Sequence, residues 1–172
     1  TLITTTRHLP KPIGATIIQV DSAEAMRDAV LEQVKDATAL VMAAAVADYK
    51  PAQVSNQKMK KSDDDLHLPL ARTPDILMTV KEQRQSSGFP LIAIGFAAES
   101  QNLVENAIGK LQRKGLDLLV ANDITASDAG FAVDSNRVII LDRTGGQVPI
   151  DLTSKANIGA YLVKRIAELL DD

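Results

Sequence analysis

The stretch Ala39–Ala47 is nine apolar residues without interruption, and it constrains this chain more than any other feature. It is too short to span a bilayer, which takes about 20 residues. A run with no polar face reads as a central parallel strand buried on both sides. Such a strand requires helices above and below it, which is an α/β layered arrangement.

The rest of the sequence alternates in the same sense. Thr1–Thr6 and Ala15–Val20 read as strands, separated by a proline-broken connection at Leu9–Pro12. Asp21 reads as a helix N-cap with Glu24 completing a capping-box-like pair, and Ala23, Met26, Ala29, Val30 and Val34 form one helical face. After a polar stretch at 48–64, Leu66, Leu68 and Leu70 alternate as in a strand. Thr73 followed by Pro74 reads as an N-cap hydroxyl and a first helical residue, with the helix running to about Gln85. Pro90–Ala98 and Leu116–Ala121 are strands around a helix at Asn102–Lys114, which Gly115 closes. Arg137–Leu141 and Gln147–Ile150 flank Gly145–Gly146 as a hairpin. A last helix, about Ser154–Leu170, has Ala156, Ile158, Leu162, Ile166 and Leu169 as packing positions. The expected fold is α/β, Rossmann-like and three-layered, with a mostly parallel sheet and a C-terminal β-hairpin. One domain over residues 1–172 is expected.

Composition narrows the function. Aromatic residues make up only 3%, so Ala, Val, Ile and Leu must build the core, and a base-stacking platform for single strands is not expected. The net charge of −3 argues against a general nucleic-acid binder. With no cysteine, there is no disulfide framework, thiolate zinc site or cysteine nucleophile. Residues 1–20 lack the pattern of a secretory signal, and the expectation is a soluble cytoplasmic protein with no membrane contact. His8 and His67 sit in unrelated segments, and no His-Glu-x-x-His, P-loop, G-x-G-x-x-G or G-x-S-x-G motif occurs.

In open α/β sheets, ligands bind beyond the carboxyl ends of the strands. Three apolar runs end in polar residues: Asp48, Glu99 and the pair Asn122–Asp123. If the strands are parallel, these points converge on one edge. Strand ends also simply meet polar loops, and Asp and Asn are good turn residues. Lys58, Lys60 and Lys61 follow Asp48 and can neutralise phosphates, or can be a solvated stretch offset by Asp63–Asp65. Thr73-Pro74-Asp75-Ile76 offers free N–H groups at a helix start, or is plain capping. In Gly95-Phe96-Ala97-Ala98-Glu99 the small residues leave room for a ligand, and Phe96 packs on a base or in the core. Gly130-Phe131 reads as a turn and an anchor, or as part of a lid.

Taken in order, AAAVADYK at Ala43–Lys50, KMKK at Lys58–Lys61, TPDI at Thr73–Ile76, IGFAAES at Ile94–Ser100, LLVANDI at Leu118–Ile124 and GFAVDSNRVIILDR at Gly130–Arg143 resemble the synthetase half of the bacterial phosphopantothenoylcysteine decarboxylase/synthetase family. The resemblance covers nearly the whole chain. It implies a CTP-dependent ligase of coenzyme A biosynthesis. The carboxylate of 4′-phosphopantothenate becomes an acyl-cytidylate with loss of pyrophosphate, and the cysteine amine then displaces CMP. Mg²⁺ accompanies CTP, and FMN enters only if a decarboxylase domain is fused upstream.

The resemblance also implies site residues. Asp48 matches a CTP-contacting aspartate, and Lys58 matches the first lysine of a K-x-K-K motif tied to acyl-cytidylate formation. Thr73, Pro74, Asp75 and Ile76 match a nucleotide-contact segment in which asparagine commonly stands at the first position. Phe96, Lys110 and Lys114 match further CTP positions. Asn122 is a candidate from its strand-end position alone. The protein ligands of the metal are unknown. The family opens with a glycine-rich strand-loop-helix and an N-x-S-S-G-like segment that this sequence does not contain, so the resemblance implies an N-terminally incomplete domain. A homodimer is implied too, with the Arg137–Ile150 hairpin as a candidate contact. A helix from Asn102 carries Lys114 roughly 18 Å from its start, so those two lysines reach a strand-end ligand only around the sheet or across a dimer. Two other readings stay open: a nucleotide- or dinucleotide-binding module with different chemistry, and a purely structural domain.

Overall fold

The computed structural model describes residues 1–54, 57–58, 65, 67–99, 102–123 and 134–171. In chain order its elements are β1 (Leu2–Thr4), β2 (Ile17–Gln19), α1 (Ala23–Gln33), β3 (Ala39–Met42), β4 (Tyr49–Pro51), β5 (Leu70–Arg72), α2 (Ile76–Ser87), β6 (Ile92–Glu99), α3 (Leu103–Lys114), β7 (Leu118–Asp123), β8 (Ser135–Asp142), β9 (Gln147–Ser154) and α4 (Lys155–Asp171). They fall into two compact units, Thr1–Val30 with Ala45–Ile76, and Leu31–Ala44 with Leu77–Asp172. Met59, Lys60, Lys61, Leu66, Gly130 and Phe131, singled out above, lie outside the described residues.

In the first unit, β1 and β2 pair in parallel, with Leu2 opposite Ile17 and Thr4 opposite Gln19. Both strands are shorter than their apolar patterns. The Thr6 N–H turns back to donate to Thr4 Oγ1 at 3.0 Å, and that local bond ends β1. The cap of α1 is Ser22 rather than Asp21: Ser22 Oγ accepts the Ala25 N–H at 3.1 Å. Asp21 instead pairs with Arg7 at 2.5 Å. Met26, Val30 and Val34 are buried as their spacing requires.

The second unit carries a five-stranded mixed sheet in the order β3-β6-β7-β8-β9. The pairs β3–β6 and β6–β7 are parallel, and β7–β8 and β8–β9 are antiparallel. The long apolar run therefore behaves differently from expectation. Only Ala39–Met42 is strand, it lies at one end of this sheet, and Val41 is 45% exposed. The rest of the run is mostly alanine, which has little preference for a pleated surface. The strands buried on both faces are β6 and β7.

Their side chains alternate between two cores. Ala93, Ala97, Leu119 and Ala121 pack with Leu77 of α2 and with Ala107 and Leu111 of α3. Ile92, Ile94, Leu118 and Val120 pack with Ile158 and Leu162 of α4. Helices on both faces of a sheet are the expected three layers. Ala156, read as a packing position, is exposed in the first turn of α4. Ser154 caps that helix, its Oγ accepting the Asn157 N–H at 3.1 Å.

Gly95 has a purely steric reason. A Cβ there would lie 2.7 Å from Leu116 Cδ1 and 3.3 Å from both Leu119 and Leu77. The space left by this glycine is filled by leucines, not kept for a ligand. The β8–β9 hairpin turns on Asp142, whose Oδ1 accepts from the Thr144 N–H at 2.9 Å, the Thr144 hydroxyl at 2.6 Å and the Gly146 N–H at 2.9 Å. These donors, the Thr144 side chain first, hold the Asp142 carboxyl below its ordinary value.

Candidate functional site

In the first unit, β4 and β5 form an antiparallel ribbon, with Tyr49 opposite Arg72 and Pro51 opposite Leu70. Leu68 and Leu70, read as half of a strand's apolar face, are exposed at 51% and 56%. One end of the ribbon is closed by Thr73. Its N–H donates to the Asp48 carbonyl at 3.0 Å, and its hydroxyl donates to the Ala47 carbonyl. Two candidates far apart in sequence are thereby joined by a direct backbone bond. Lys58 is exposed in the segment that connects the two strands.

The same geometry corrects the reading of Thr73 as an N-cap. The helix proper begins at Ile76, three residues beyond Thr73, and the Thr73 hydroxyl donates to the Ala47 carbonyl ahead of β4. Asp75 stands at the position before the helix and is exposed, whereas the Ile76 side chain is only 3% exposed. Ile76 can therefore face a ligand only through its backbone N–H. Pro74 is half-buried between them.

In the second unit, Phe96 and Asn122 lie near the carboxyl ends of β6 and β7. Phe96 is the register partner of Val120, and Ala98 is the partner of Asn122. Alternation along the strands puts Phe96, Ala98 and Asn122 on the face that α4 covers. Phe96 is 36% exposed and Asn122 is 8% exposed. Glu99 and Asp123 are register partners, so two of the three polar strand ends do meet.

Lys110 and Lys114 are placed elsewhere. They occupy the last turns of α3, which packs on the opposite face of the sheet. Gly115 ends α3 in the left-handed region at φ 61°, donating to the Gln112 carbonyl at 3.2 Å, beside the amino end of β7. Within this unit the two lysines are not brought to Phe96 and Asn122.

Two clusters went unread in the sequence. Asp117 is buried, accepts the Ala93 N–H at 2.8 Å, and binds Arg84 at 2.8 Å and Arg143 at 3.0 Å. Its only sequence signal is a charge set within the apolar stretch Leu116–Ala121. The other is an ion pair between Glu24 of α1 and Lys50 of β4. Lys50, chiefly by its hydrogen bond, holds the Glu24 carboxyl below its ordinary value. No sequence pattern links residues 26 apart in this way. Among the described residues, no group of three or more His, Cys, Asp or Glu could hold a metal, and no helix is long and apolar enough to cross a membrane.

In the first unit, an exposed Asp48, an exposed Lys58 and a helix start at the end of the ribbon suit a phosphorylated ligand. Helices on both faces of the sheet, which is mixed rather than mostly parallel as expected, define the class: a Rossmann-like α/β protein. Residues 1–170 match the family described as the DNA/pantothenate metabolism flavoprotein C-terminal domain, and the chain belongs to that family.

It is 37% identical over 172 residues to the coenzyme A biosynthesis bifunctional protein CoaBC of Vibrio vulnificus strain CMCP6, covering 99% of this chain and 42% of that protein. It is 40% identical over 162 residues to CoaBC of Bacillus subtilis strain 168, covering 94% of this chain and 39% of the relative. The chain thus spans about two fifths of the length of the curated relatives it matches. The crystal structure of a CoaBC C-terminal domain superposes with a TM-score of 0.76 at 32% identity, covering 97% of this chain and 74% of that one.

Proposed function

We propose that this chain is the nucleotide-binding part of a phosphopantothenate–cysteine ligase. It serves coenzyme A biosynthesis in the cytoplasm. CTP, 4′-phosphopantothenate and cysteine are its small-molecule partners. The observation that carries the reading is the Thr73–Asp48 closure, which holds a candidate aspartate and a helix-start segment together at one end of the ribbon that bears Lys58.

The reaction needs its charge managed at the triphosphate. The phosphopantothenate carboxylate attacks the α-phosphorus of CTP, and the bond to the β-phosphate oxygen breaks to release pyrophosphate. The Lys58 ammonium offsets charge that accumulates on the phosphate oxygens in that step. The N–H groups ahead of α2 add fixed donors for the same oxygens. Asp48 and Asp75 supply exposed acceptors. Within the second unit, Phe96 and Asn122 offer an apolar surface and an amide as further nucleotide contacts, and Lys110 and Lys114, on the opposite face of the sheet from them, join in only if a second copy brings them round. Displacement of CMP by the cysteine amine then makes the amide bond. Mg²⁺ fits this donor set as a partner of the phosphates, since it is commonly held by one or two carboxylates, phosphate oxygens and water. FMN belongs to a decarboxylase domain where one is fused. The working state is a homodimer, supported by β9 as an end strand with Val148 and Leu152 exposed.

Titration calorimetry with CTP and Mg²⁺ tests the reading, with ATP and Lys58→Gln as controls. Selective CTP binding that the substitution weakens is the expected result. Equal ATP affinity would move the chain to a different nucleotide chemistry, and no CTP binding by a longer chain carrying the glycine-rich segment would end the proposal.

A further inference from the structure

We propose that Glu24 is a positioning residue for the nucleotide site: through Lys50 it clasps β4 to the first turn of α1 and so fixes where Asp48 stands. The inference rests on the nucleotide reading of Asp48 and Thr73.

The ribbon is a weak element by itself. Each strand has three residues, and every residue of β4 is exposed. Two-stranded ribbons of this size have little independent stability in water. At one end the ribbon is closed by the two Thr73 bonds, and near Pro51 the Ala52 N–H donates to the Pro69 carbonyl at 2.9 Å. Those bonds hold the two strands to each other but do not hold the ribbon to the rest of the first unit. The Lys50–Glu24 pair does. It joins positions 26 residues apart, with side-chain exposures of 45% and 33%.

Lys50 is two residues from Asp48, which stands at the bend immediately before β4. A cation there has two possible uses. It can contact phosphate itself, or it can serve as a tether. The carboxylate on its ammonium decides for the tether, because a lysine paired with glutamate presents less charge to a phosphate. Glu24 is itself anchored: it lies in the first turn, two residues after the Ser22 cap, where a carboxylate is favoured by the positive helix end. The clasp therefore links a capped helix start to a short, exposed strand next to the proposed site.

Mg²⁺–CTP affinity is measured for the protein and for Glu24→Gln, Lys50→Gln, Lys50→Arg and the double Gln variant. A partly exposed ion pair commonly changes an equilibrium by up to about fivefold. Each Gln variant should weaken CTP by about two- to fivefold, the double variant should be no worse than either, and Lys50→Arg should bind as the parent does. Hydrogen exchange at the Thr73 amide, read without ligand, should quicken in both Gln variants. Tighter CTP binding by Glu24→Gln would show that Glu24 merely restrains a phosphate-binding Lys50, and would overturn the proposal. So would additive losses, or unchanged exchange. If the parent protein binds no CTP while exchange still quickens, the clasp stands and the nucleotide reading fails.

Discussion

The two ends of the β6–β7 pair are built in opposite ways. At the amino end, Asp117 is buried and saturated by the Ala93 N–H, Arg84 and Arg143, and the Arg143 N–H donates to the Asp117 carbonyl at 3.2 Å. Arg84 also donates to the Gly115 carbonyl at 3.3 Å. At the carboxyl end, the same strands finish in an exposed Ala98, a partly exposed Phe96 and a small buried amide at Asn122. One end ties β6, β7, β8 and α2 together, and the other leaves small residues beside polar ones. On the proposed function, stability and ligand contact are separated along one pair of strands, so a substitution at one end should leave the other's property unchanged.

The largest effect expected is at Asp117. Asp117→Ala leaves Arg84, whose side chain is 22% exposed, facing a void without its counter-charge, and removes the acceptor from Ala93. Breaking one side of a buried pair costs about 3–5 kcal/mol. Arg143, 65% exposed, adds little to that. Urea unfolding should show the loss, while CTP affinity of the remaining folded protein stays at the parent value. A stable Asp117→Ala protein would mean that the amino end is not the fastening it is taken for.

Lys58→Gln should show the mirror image. Loss of a charge that stabilises a transition state lowers kcat by about 100-fold. Lys58 is exposed, so its unfolding free energy should move by less than about 0.5 kcal/mol. A ligase assay on the full-length enzyme, beside a melting curve, reads both. Equal loss of stability and activity would mean that Lys58 fastens the first unit rather than serving the ligand.

This contrast was only half legible in the sequence. The order of strands and helices follows from periodicity and capping, which are local, and so does the hairpin around Gly145. The identity of the interior strands does not. Ala39–Ala47 looks more buried than Ile92–Glu99, yet β6 gains neighbours on both sides through pairing with β3 and β7, which no local pattern encodes. Ser22 and Asp21 are both competent caps, and the choice is made by Arg7, fourteen residues away, taking the aspartate. Gly95 was read for a ligand because a glycine announces missing volume but not what fills it. The strand-end rule places Asn122 near the end of β7, but Asp48 stands six residues after β3 ends and directly before β4, and the bond that joins it to Thr73 arises from a non-local ribbon. The Glu24–Lys50 pair and Asp117 depend entirely on such folding and leave almost no trace in spacing.

Gly95 gives a test midway along the pair. Gly95→Ala forces a methyl to 2.7 Å from Leu116 Cδ1, and the leucine end can yield only by pressing on Leu77 and Leu119. Overpacking of this kind costs about 1–3 kcal/mol. Its methyl would point to the α2–α3 face, whereas Phe96 and Asn122 are on the α4 face, so CTP affinity should be kept. If affinity fell with stability unchanged, the space at Gly95 would belong to the ligand after all.

The smallest effect sharpens the comparison by pH. Asp142 lies at the end of β8, beside Arg143 of the amino-end cluster, and its carboxyl is held below the ordinary aspartate value of 3.8. A depressed pKa in the folded state means that the fold binds its proton less readily than the unfolded chain does. The resulting stability is complete above the unfolded value of about 3.9 and disappears as pH falls through the lower folded value. Asp142→Asn keeps an oxygen for Thr144 and Gly146 but removes the charge. The variant should be less stable than the parent by about 1 kcal/mol at pH 7, and the gap should narrow below about pH 4. Urea unfolding of both proteins at pH 7, 5, 4 and 3 isolates this carboxyl, because every other acid titrates in both. A gap that stays constant with pH would show that the turn depends on the shape of the side chain and not on its charge.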